Sequence, residues 1–294
     1  MRIIGLLQSL IILLAVSLFC TDSKAEPQLW KMLDEGLYLG KFASTLKSRI
    51  SNFPITILKI NPEFYSFKLL CASEHDGNMR TAKQWCNEFG LLAAINASMY
   101  QDTDPLKSTG YMKNYNHINN PHINPAFGAF MAFNPIDSSL PESRFVDRRL
   151  QKDWKAQIEK YHTVVQNYRM ISKRKRKGWP QQKKLYSTAA VGMDKDNNVL
   201  FIHSPSPYST HDFINILLSL PIDIDSAMYL EGGPEATLYI SPKDIQTKSE
   251  GRYGTLFGEN FSDLSTLTLP NVIGIVKRKQ VCLPPFISEL TDWG

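Results

Sequence analysis

Residues 227–238 read Ala-Met-Tyr-Leu-Glu-Gly-Gly-Pro-Glu-Ala-Thr-Leu. The apolar run is typical of a buried strand, and it delivers Glu231 to the edge of a sheet. Gly232 and Gly233 then allow a tight turn or the close approach of a ligand. This pattern predicts one acid at the floor of a pocket. A glycine turn beside a merely solvated glutamate fits the stretch equally well, since such turns are common.

A second stretch, residues 91–100, has the same design. It reads Leu-Leu-Ala-Ala-Ile-Asn-Ala-Ser-Met-Tyr, so an apolar run ends in Asn96 and is followed by small residues and an aromatic. Two buried strands that each end in one polar residue predict a shared site at a sheet edge. The alternative is that Asn96 only caps a turn, as asparagine often does.

With one further block, these stretches resemble the phosphodiester glycosidase family. In that family a strand ending in Ile/Met-Asn precedes small residues and an aromatic, as at 94–100. A strand pair follows, here 188–194 and 199–204, and then a Leu-Asp-Gly-Gly block, here 230–238. The order and rough spacing agree over about residues 53–276. The family includes the enzyme that removes N-acetylglucosamine from phosphodiester-linked mannose on lysosomal proteins, and this chain looks most like its bacterial periplasmic branch.

Three positions depart from the family pattern. Glu231 replaces the usual Asp, Thr188 stands where the family has Arg, and Glu235 replaces a small residue. An arginine fork suits a phosphate group, so its loss bears directly on substrate binding.

The resemblance implies a hydrolase that cleaves the sugar–phosphate bond of a sugar-1-phosphodiester or phosphate-linked glycan, with no metal and no cofactor. Such chemistry needs a carboxylate at the anomeric carbon. The site residues that it implies are Glu231 as the carboxylate, Asp102 and His203 as candidates for a second acid or base, and Asn96, Gly232, Gly233, Thr188 and Tyr100 as substrate-binding residues.

Two other functions remain open on the sequence. The three departures are also typical of a diverged, non-catalytic glycan-binding or cell-envelope protein on the same fold. An enzyme acting on a phosphate-linked wall polymer is the third hypothesis. Saccharide binding without turnover would distinguish the binding protein from either enzyme.

The N-terminus indicates export. Residues 1–2 are Met-Arg, residues 3–19 are mostly apolar, and Ser-Lys-Ala at 23–25 fits a cleavage site, so residues 1–25 read as a secretory signal peptide. The apolar run is short for a bilayer span of about 20 residues. We therefore expect a periplasmic or secreted protein, residues 26–294, with no stable membrane span after cleavage.

Composition points away from nucleic acid. The chain has 294 residues, 43% of them hydrophobic, and a formal net charge of +5, which is mild. The most basic segment is the run at 173–177 together with the residues that follow it to Lys184. It is typical of a solvated loop, or it attracts a phosphate or a polyanionic glycan. It belongs to an insertion predicted at about 134–186 within a single domain.

Cysteine spacing gives no metal motif, since no Cys-x-x-Cys occurs. Cys71 and Cys86 are near enough in sequence to close a short loop as a disulfide, with Cys282 left over or exchanging roles.

The alternation of short apolar runs and turns predicts an α+β fold, with a mixed, largely antiparallel sheet packed with helices at 79–89 and 210–220. Strands are predicted at 37–42 and 55–60, and a hairpin turn at 194–198. Asn78 is the expected cap of the first helix and Gly90 its end, and Ser209 or Thr210 is the expected cap of the second. The polar stretch 101–125 is long for a connection inside a compact domain. It is typical of a lid or binding loop, or of a flexible surface loop.

Overall fold

The computed structural model describes residues 29–48, 52–173, 175–176, 179–241 and 267–278. The predicted signal peptide and Cys282 lie outside the described residues.

Short strands dominate the described chain. The strands are β1 (Trp30–Asp34), β2 (Leu37–Phe42), β3 (Ile55–Ile60), β4 (Tyr65–Cys71), β5 (Ala93–Asn96), β6 (Met112–Asn114), β7 (His117–Asn120), β8 (Ala129–Pro135), β9 (Ser143–Asp147), β10 (Tyr161–Asn167), β11 (Arg169–Ser172), β12 (Lys175–Arg176), β13 (Tyr186–Asp194), β14 (Val199–Tyr208), β15 (Ile224–Gly232), β16 (Leu238–Ile240) and β17 (Asn271–Lys277). The helices are α1 (Ala82–Phe89), α2 (Trp154–Glu159) and α3 (Thr210–Ser219).

These strands form three sheets. The largest has eight strands in the order β1-β2-β3-β14-β13-β15-β11-β12. A five-stranded sheet runs β7-β6-β10-β8-β9, and a four-stranded sheet runs β16-β5-β17-β4. Every pairing between the described strands is antiparallel, so the expected mixed sheet is replaced by several antiparallel ones.

All three sheets contribute their inner faces to one central core. Side chains alternate along each strand, so Phe201 of β14 points into this core while its neighbour Ile202 points outward. Phe67 of β4 stacks on Phe133 of β8 with ring centroids 4.7 Å apart, which joins two of the sheets. The strands read as continuous apolar runs because both of their faces are buried.

One helix covers the outer face of each sheet. Phe213 and Leu217 of α3 pack on the eight-stranded sheet, and Trp85 of α1 packs on the four-stranded one. Ile158 of α2 packs on the five-stranded sheet. The fold is therefore richer in β-structure than the predicted packing with helices suggested.

The N-terminus of α1 lies three residues later than predicted. Thr81 accepts a hydrogen bond from the Gln84 N–H, and the Gln84 side chain accepts one from the Thr81 N–H, so Thr81 is the cap. Asn78, the expected cap, instead donates to Asp76 at 3.0 Å. Gly90 ends the helix with φ +63°, as predicted.

The polar stretch at 101–125 is organised by its own amides. It contains the β6–β7 hairpin, and two of its asparagines are buried. Asn119 donates to the Leu106 carbonyl at 2.7 Å and Asn120 to the Ser108 carbonyl at 2.7 Å. These amides therefore fix the backbone of the stretch instead of facing a ligand.

The predicted insertion contributes to a sheet of the core. β10 lies at the centre of the five-stranded sheet, paired with β6 and β8. Residues 143–167 of the predicted insertion are thus built into the body of the protein.

Cys71 and Cys86 are not joined to each other. Cys71 lies in the central core, where its thiol is 3.8 Å from the Met112 sulfur. Cys86 lies on α1, in the cluster on the outer face of the four-stranded sheet. Closeness in sequence did not predict proximity here, because the two thiols lie on opposite faces of one sheet.

Candidate functional site

A β-bulge presents Glu231 at the end of β15. Ala189 of β13 faces Glu231 and Ala190 faces Tyr229, so Leu230 is the extra residue on β15. Bulges of this kind re-aim side chains and recur beside active sites. Because Ala189 also faces His203 of β14, one row across the sheet carries a carboxylate and an imidazole.

The Glu231 carboxyl is almost enclosed, with the residue 9% exposed. Burial raises the pKa of Glu231 to about 7, against a hydrogen bond from the Gly232 N–H that lowers it, and the negative charge of Glu235 raises it further. The Gly232 N–H lies 2.9 Å from Oε1. A carboxyl that titrates near neutrality is suited to take up or release a proton in catalysis.

The turn after Glu231 requires both glycines. Gly233 has φ +81°, a conformation that favours glycine. A Cβ at Gly232 would collide with the hydroxyl of Tyr229. In this structure the Gly232 N–H is directed at the Glu231 carboxylate.

Asn96 holds this turn from the neighbouring sheet. Its Nδ2 donates to the Glu235 carbonyl at 2.9 Å, and its Oδ1 accepts from the Thr237 N–H at 2.7 Å. The structure thus brings the ends of β5 and β15 together, as the two apolar runs suggested. Both ends of the Asn96 amide are directed at backbone, so this buried side chain fixes the position of the turn.

His203 supports the same turn from beneath. It is 2% exposed, and its Nε2 lies 3.0 Å from the Ala236 carbonyl oxygen. Burial lowers the pKa of His203 to about 4, so the imidazole is neutral at pH 7. His203 is therefore a buried side chain and not a surface histidine, and its contact joins it to the turn that follows Glu231.

Tyr100 and Asp102 lie on the accessible side. Tyr100 is half-buried; burial raises its pKa first, and the charges of Glu235, Glu231 and Asp102 raise it further. These three carboxylates therefore act on one region, with Asp102 exposed on its loop. Thr188 pairs with Gly232 across the strands and is only 1% exposed, so its side chain is buried.

The structure adds residues that the sequence reasoning did not assign to the site. Glu235 is partly exposed on the turn next to Glu231, and its acidity was read only as a departure from the family pattern. Asn167 is fully buried, and its Nδ2 donates to the Leu230 carbonyl at 3.1 Å and to Ser98 Oγ at 3.3 Å. A polar residue ending the apolar run of β10 was the available signal for Asn167.

In the described ranges, no group of three or more His, Cys, Asp and Glu side chains is arranged to hold a metal ion. No helix in that part of the chain combines the length and apolar character needed to cross a bilayer.

Comparison with known proteins identifies a family. A family model described as phosphodiester glycosidase matches residues 89–276. A hypothetical protein from Synechocystis superposes with a TM-score of 0.56 at 12% identity, over 87% of this chain and 64% of that one. A second similar structure is the catalytic domain of zebrafish N-acetylglucosamine-1-phosphodiester alpha-N-acetylglucosaminidase, auto-inhibited by its pro-peptide. It superposes with a TM-score of 0.55 at 14% identity, over 87% of this chain and 85% of that one.

At these identities, the two structures show a common fold. The chain spans about two thirds of the length of the Synechocystis protein, 64%. No curated protein matches the sequence.

Proposed function

Because the chain belongs to the phosphodiester glycosidase family, we propose that it hydrolyses the bond between a sugar's anomeric carbon and a phosphate oxygen. Water adds to the anomeric carbon, and the phosphate oxygen leaves with the bonding electrons. A sugar phosphodiester is thereby converted to a free sugar and a phosphomonoester. The N-terminal sequence supports the accompanying proposal that this takes place outside the cytoplasm, in the periplasm or after secretion.

The observation that carries the proposal is the Glu231 carboxyl at the bulged end of β15. It is nearly enclosed, its pKa is about 7, and the turn beyond it is fixed by Asn96. In its ionised form Glu231 activates water or stabilises the positive charge that develops at the anomeric carbon. Near neutral pH a substantial fraction of the protein holds this form.

The surrounding charges set a requirement on the substrate. Glu231, Glu235 and Asp102 together favour positive charge at the anomeric carbon, but they repel a phosphate. A countercharge is available on the segment that leads into β13, where Lys183 and Lys184 are exposed. We propose that these lysines take over the phosphate role of the arginine that the family carries at position 188.

A panel of sugar-1-phosphodiesters tests the reaction. The purified protein is incubated with methyl phosphodiesters of N-acetylglucosamine, glucose, mannose and galactose, and the released reducing sugar is measured. Glu231→Gln keeps the shape of the side chain and removes its charge, so we expect release by the native protein and at least a hundredfold less by the variant.

Asp196→Asn is the control. It removes an exposed acid at the opposite end of β13 and should leave release unchanged. Full activity in Glu231→Gln would overturn the assignment of the carboxylate. Saccharide binding without release from any panel member would overturn the hydrolase in favour of a glycan-binding protein.

A further inference from the structure

Three aromatic side chains from separate parts of the chain meet at the end of β15. Tyr168 joins β10 to β11, Trp179 lies in the segment between β12 and β13, and Tyr229 lies on β15. The ring centroids of Tyr168 and Trp179 are 5.1 Å apart, and those of Trp179 and Tyr229 are 5.9 Å apart. Phe127, which is buried, supports Tyr168 from behind at 4.4 Å. We call Tyr168, Trp179 and Tyr229 the aromatic wall.

Hydrogen bonds fix the aromatic wall in place. Trp179 Nε1 donates to the Arg169 carbonyl at 3.0 Å, and the Trp179 carbonyl lies 3.0 Å from His211 Nδ1 on α3. The Tyr229 N–H donates to the Tyr168 carbonyl, also at 3.0 Å. A residue from the basic segment is therefore anchored on the sheet, and the rings are held without a ligand.

The aromatic wall adjoins the proposed reaction site. The Tyr229 hydroxyl lies against Gly232, directly after Glu231. Burial raises the pKa of Tyr229, and the negative charge of Glu231 makes the next largest contribution to this rise. Tyr168 and Trp179 are only partly buried, so the aromatic wall is not fully covered by the rest of the described chain.

We propose that the aromatic wall binds a pyranose ring of the substrate, with the sugar stacked on Trp179. The inference rests on the proposed function, and it adds a binding surface for the sugar. A pyranose presents a face of C–H groups that packs on aromatic rings, while the tyrosine hydroxyls reach sugar hydroxyl groups. Rigid rings lose little conformational entropy on binding, which favours such a preformed surface.

Equilibrium binding tests the aromatic wall independently of turnover. The full chain carrying Glu231→Gln is titrated calorimetrically with the same four methyl sugar phosphodiesters, and with dimethyl phosphate, which has no sugar. We expect at least one of the four to bind, Trp179→Ala to weaken that binding at least tenfold, Trp179→Phe to weaken it less than about threefold, and dimethyl phosphate to be insensitive to both changes.

Trp154→Ala is the matched control, since Trp154 stacks on Phe130 at 5.3 Å on the outer face of the five-stranded sheet. It should leave binding unchanged. If Trp179→Ala unfolds, Tyr168→Ala takes its place with the same expectation. Equal affinity in the folded wall variants, or binding of no saccharide at all, would overturn the proposal. Weakened binding in the wall variants, together with no sugar release by the native protein, would support the wall and overturn the hydrolase.

Discussion

The two ends of the β13–β15 strand pair each bury an acid, but the structure treats the two acids differently. At one end Asp194 pairs with Ile224 and begins the turn to β14, and at the other Glu231 pairs with Ala189. Asp194 is 3% exposed and Glu231 is 9% exposed. The contrast lies in what each carboxylate contacts.

Asp194 is fully engaged by its own turn. Its Oδ1 accepts from the Asp196 N–H at 3.0 Å and from the Asn198 N–H at 2.9 Å, and its Oδ2 accepts from the Asn198 side chain at 2.9 Å. Lys59 lies 4.0 Å away. Donors that replace water in this way satisfy both carboxylate oxygens, and they leave the acid committed to the hairpin.

Glu231 receives much less compensation. Among the described residues, its carboxylate accepts a backbone hydrogen bond from Gly232 alone, and the like charge of Glu235 lies nearby. The turn beyond it is instead stabilised through Asn96 and His203, which bond to backbone. The comparison shows how a fold keeps an acid reactive: neighbouring groups hold the backbone while the carboxylate itself stays undersatisfied.

The largest expected effect comes from neutralising each of the two acids in turn, because one substitution should reduce activity and the other stability. Glu231→Gln should reduce sugar release at least a hundredfold with stability at pH 8 equal or higher, because a poorly solvated charge is removed. Asp194→Asn should lower the free energy of unfolding by about 2 kcal/mol, because it replaces one acceptor oxygen by a donor, with kcat unchanged. Initial rates and urea unfolding of both variants check this. Similar activity losses in the two variants would contradict the distinction between a catalytic Glu231 and a structural Asp194.

A smaller effect is expected when the support of the turn is removed. Asn96→Ala deletes both amide bonds to the turn, so we expect a tenfold to hundredfold loss of kcat, as for a displaced catalytic group, and about 2 kcal/mol of stability. Asn198→Ala, which deletes an amide bond at the Asp194 turn, should cost stability alone. Steady-state kinetics below the unfolding transition measure both. An unchanged kcat in Asn96→Ala would show that the bonds from Asn96 to the turn do not position Glu231 for catalysis.

The pH dependence of stability tests the same comparison without any measurement of activity. The pKa of Glu231 rises from 4.5 to about 7 on folding, so the folded state binds more protons in this window. The contribution of Glu231 to the free energy of unfolding therefore falls as pH rises from about 4.5 to 7, by at most about 3 kcal/mol. The pKa of His203 falls from 6.5 to about 4 on folding, so its contribution to the free energy of unfolding rises as pH rises from about 4 to 6.5.

These two slopes oppose each other, so the native protein should be nearly flat between about pH 4.5 and 6.5 with respect to these two groups. In Glu231→Gln only the His203 slope remains, and the stability of the variant relative to the native protein should increase with pH. Urea titrations at half-unit pH steps measure this difference. A pH-independent difference would show that Glu231 titrates at its ordinary pKa.

Much of the local structure could be predicted from residue patterns. β2 and β3 have the predicted bounds, Gly90 ends α1, and Ser209 caps α3 by accepting from the Asp212 N–H. The Asp/Asn-rich stretch at 194–198 forms the predicted hairpin turn. These features depend on neighbours within a few residues, so period, caps and turn chemistry were sufficient.

The same patterns misjudged features that depend on distant partners. His203 ends an apolar run like a surface residue, yet the turn at Ala236 covers it. Asn119 and Asn120 lie in the stretch predicted as a binding loop, but their amides bind the backbone of their own loop. Trp179 was read as part of a solvated segment, although it packs on Tyr168 and Tyr229.

By itself the sequence determined that two apolar runs end in Asn96 and Glu231, that glycines follow the acid, and which family these blocks resemble. Only the tertiary structure decided what those residues contact. Burial raises the pKa of Glu231, a bulge at Leu230 re-aims its side chain, and Asn96 clamps the turn from another sheet. Desolvation and strand register arise from surfaces far apart in the chain, so no local pattern encodes them.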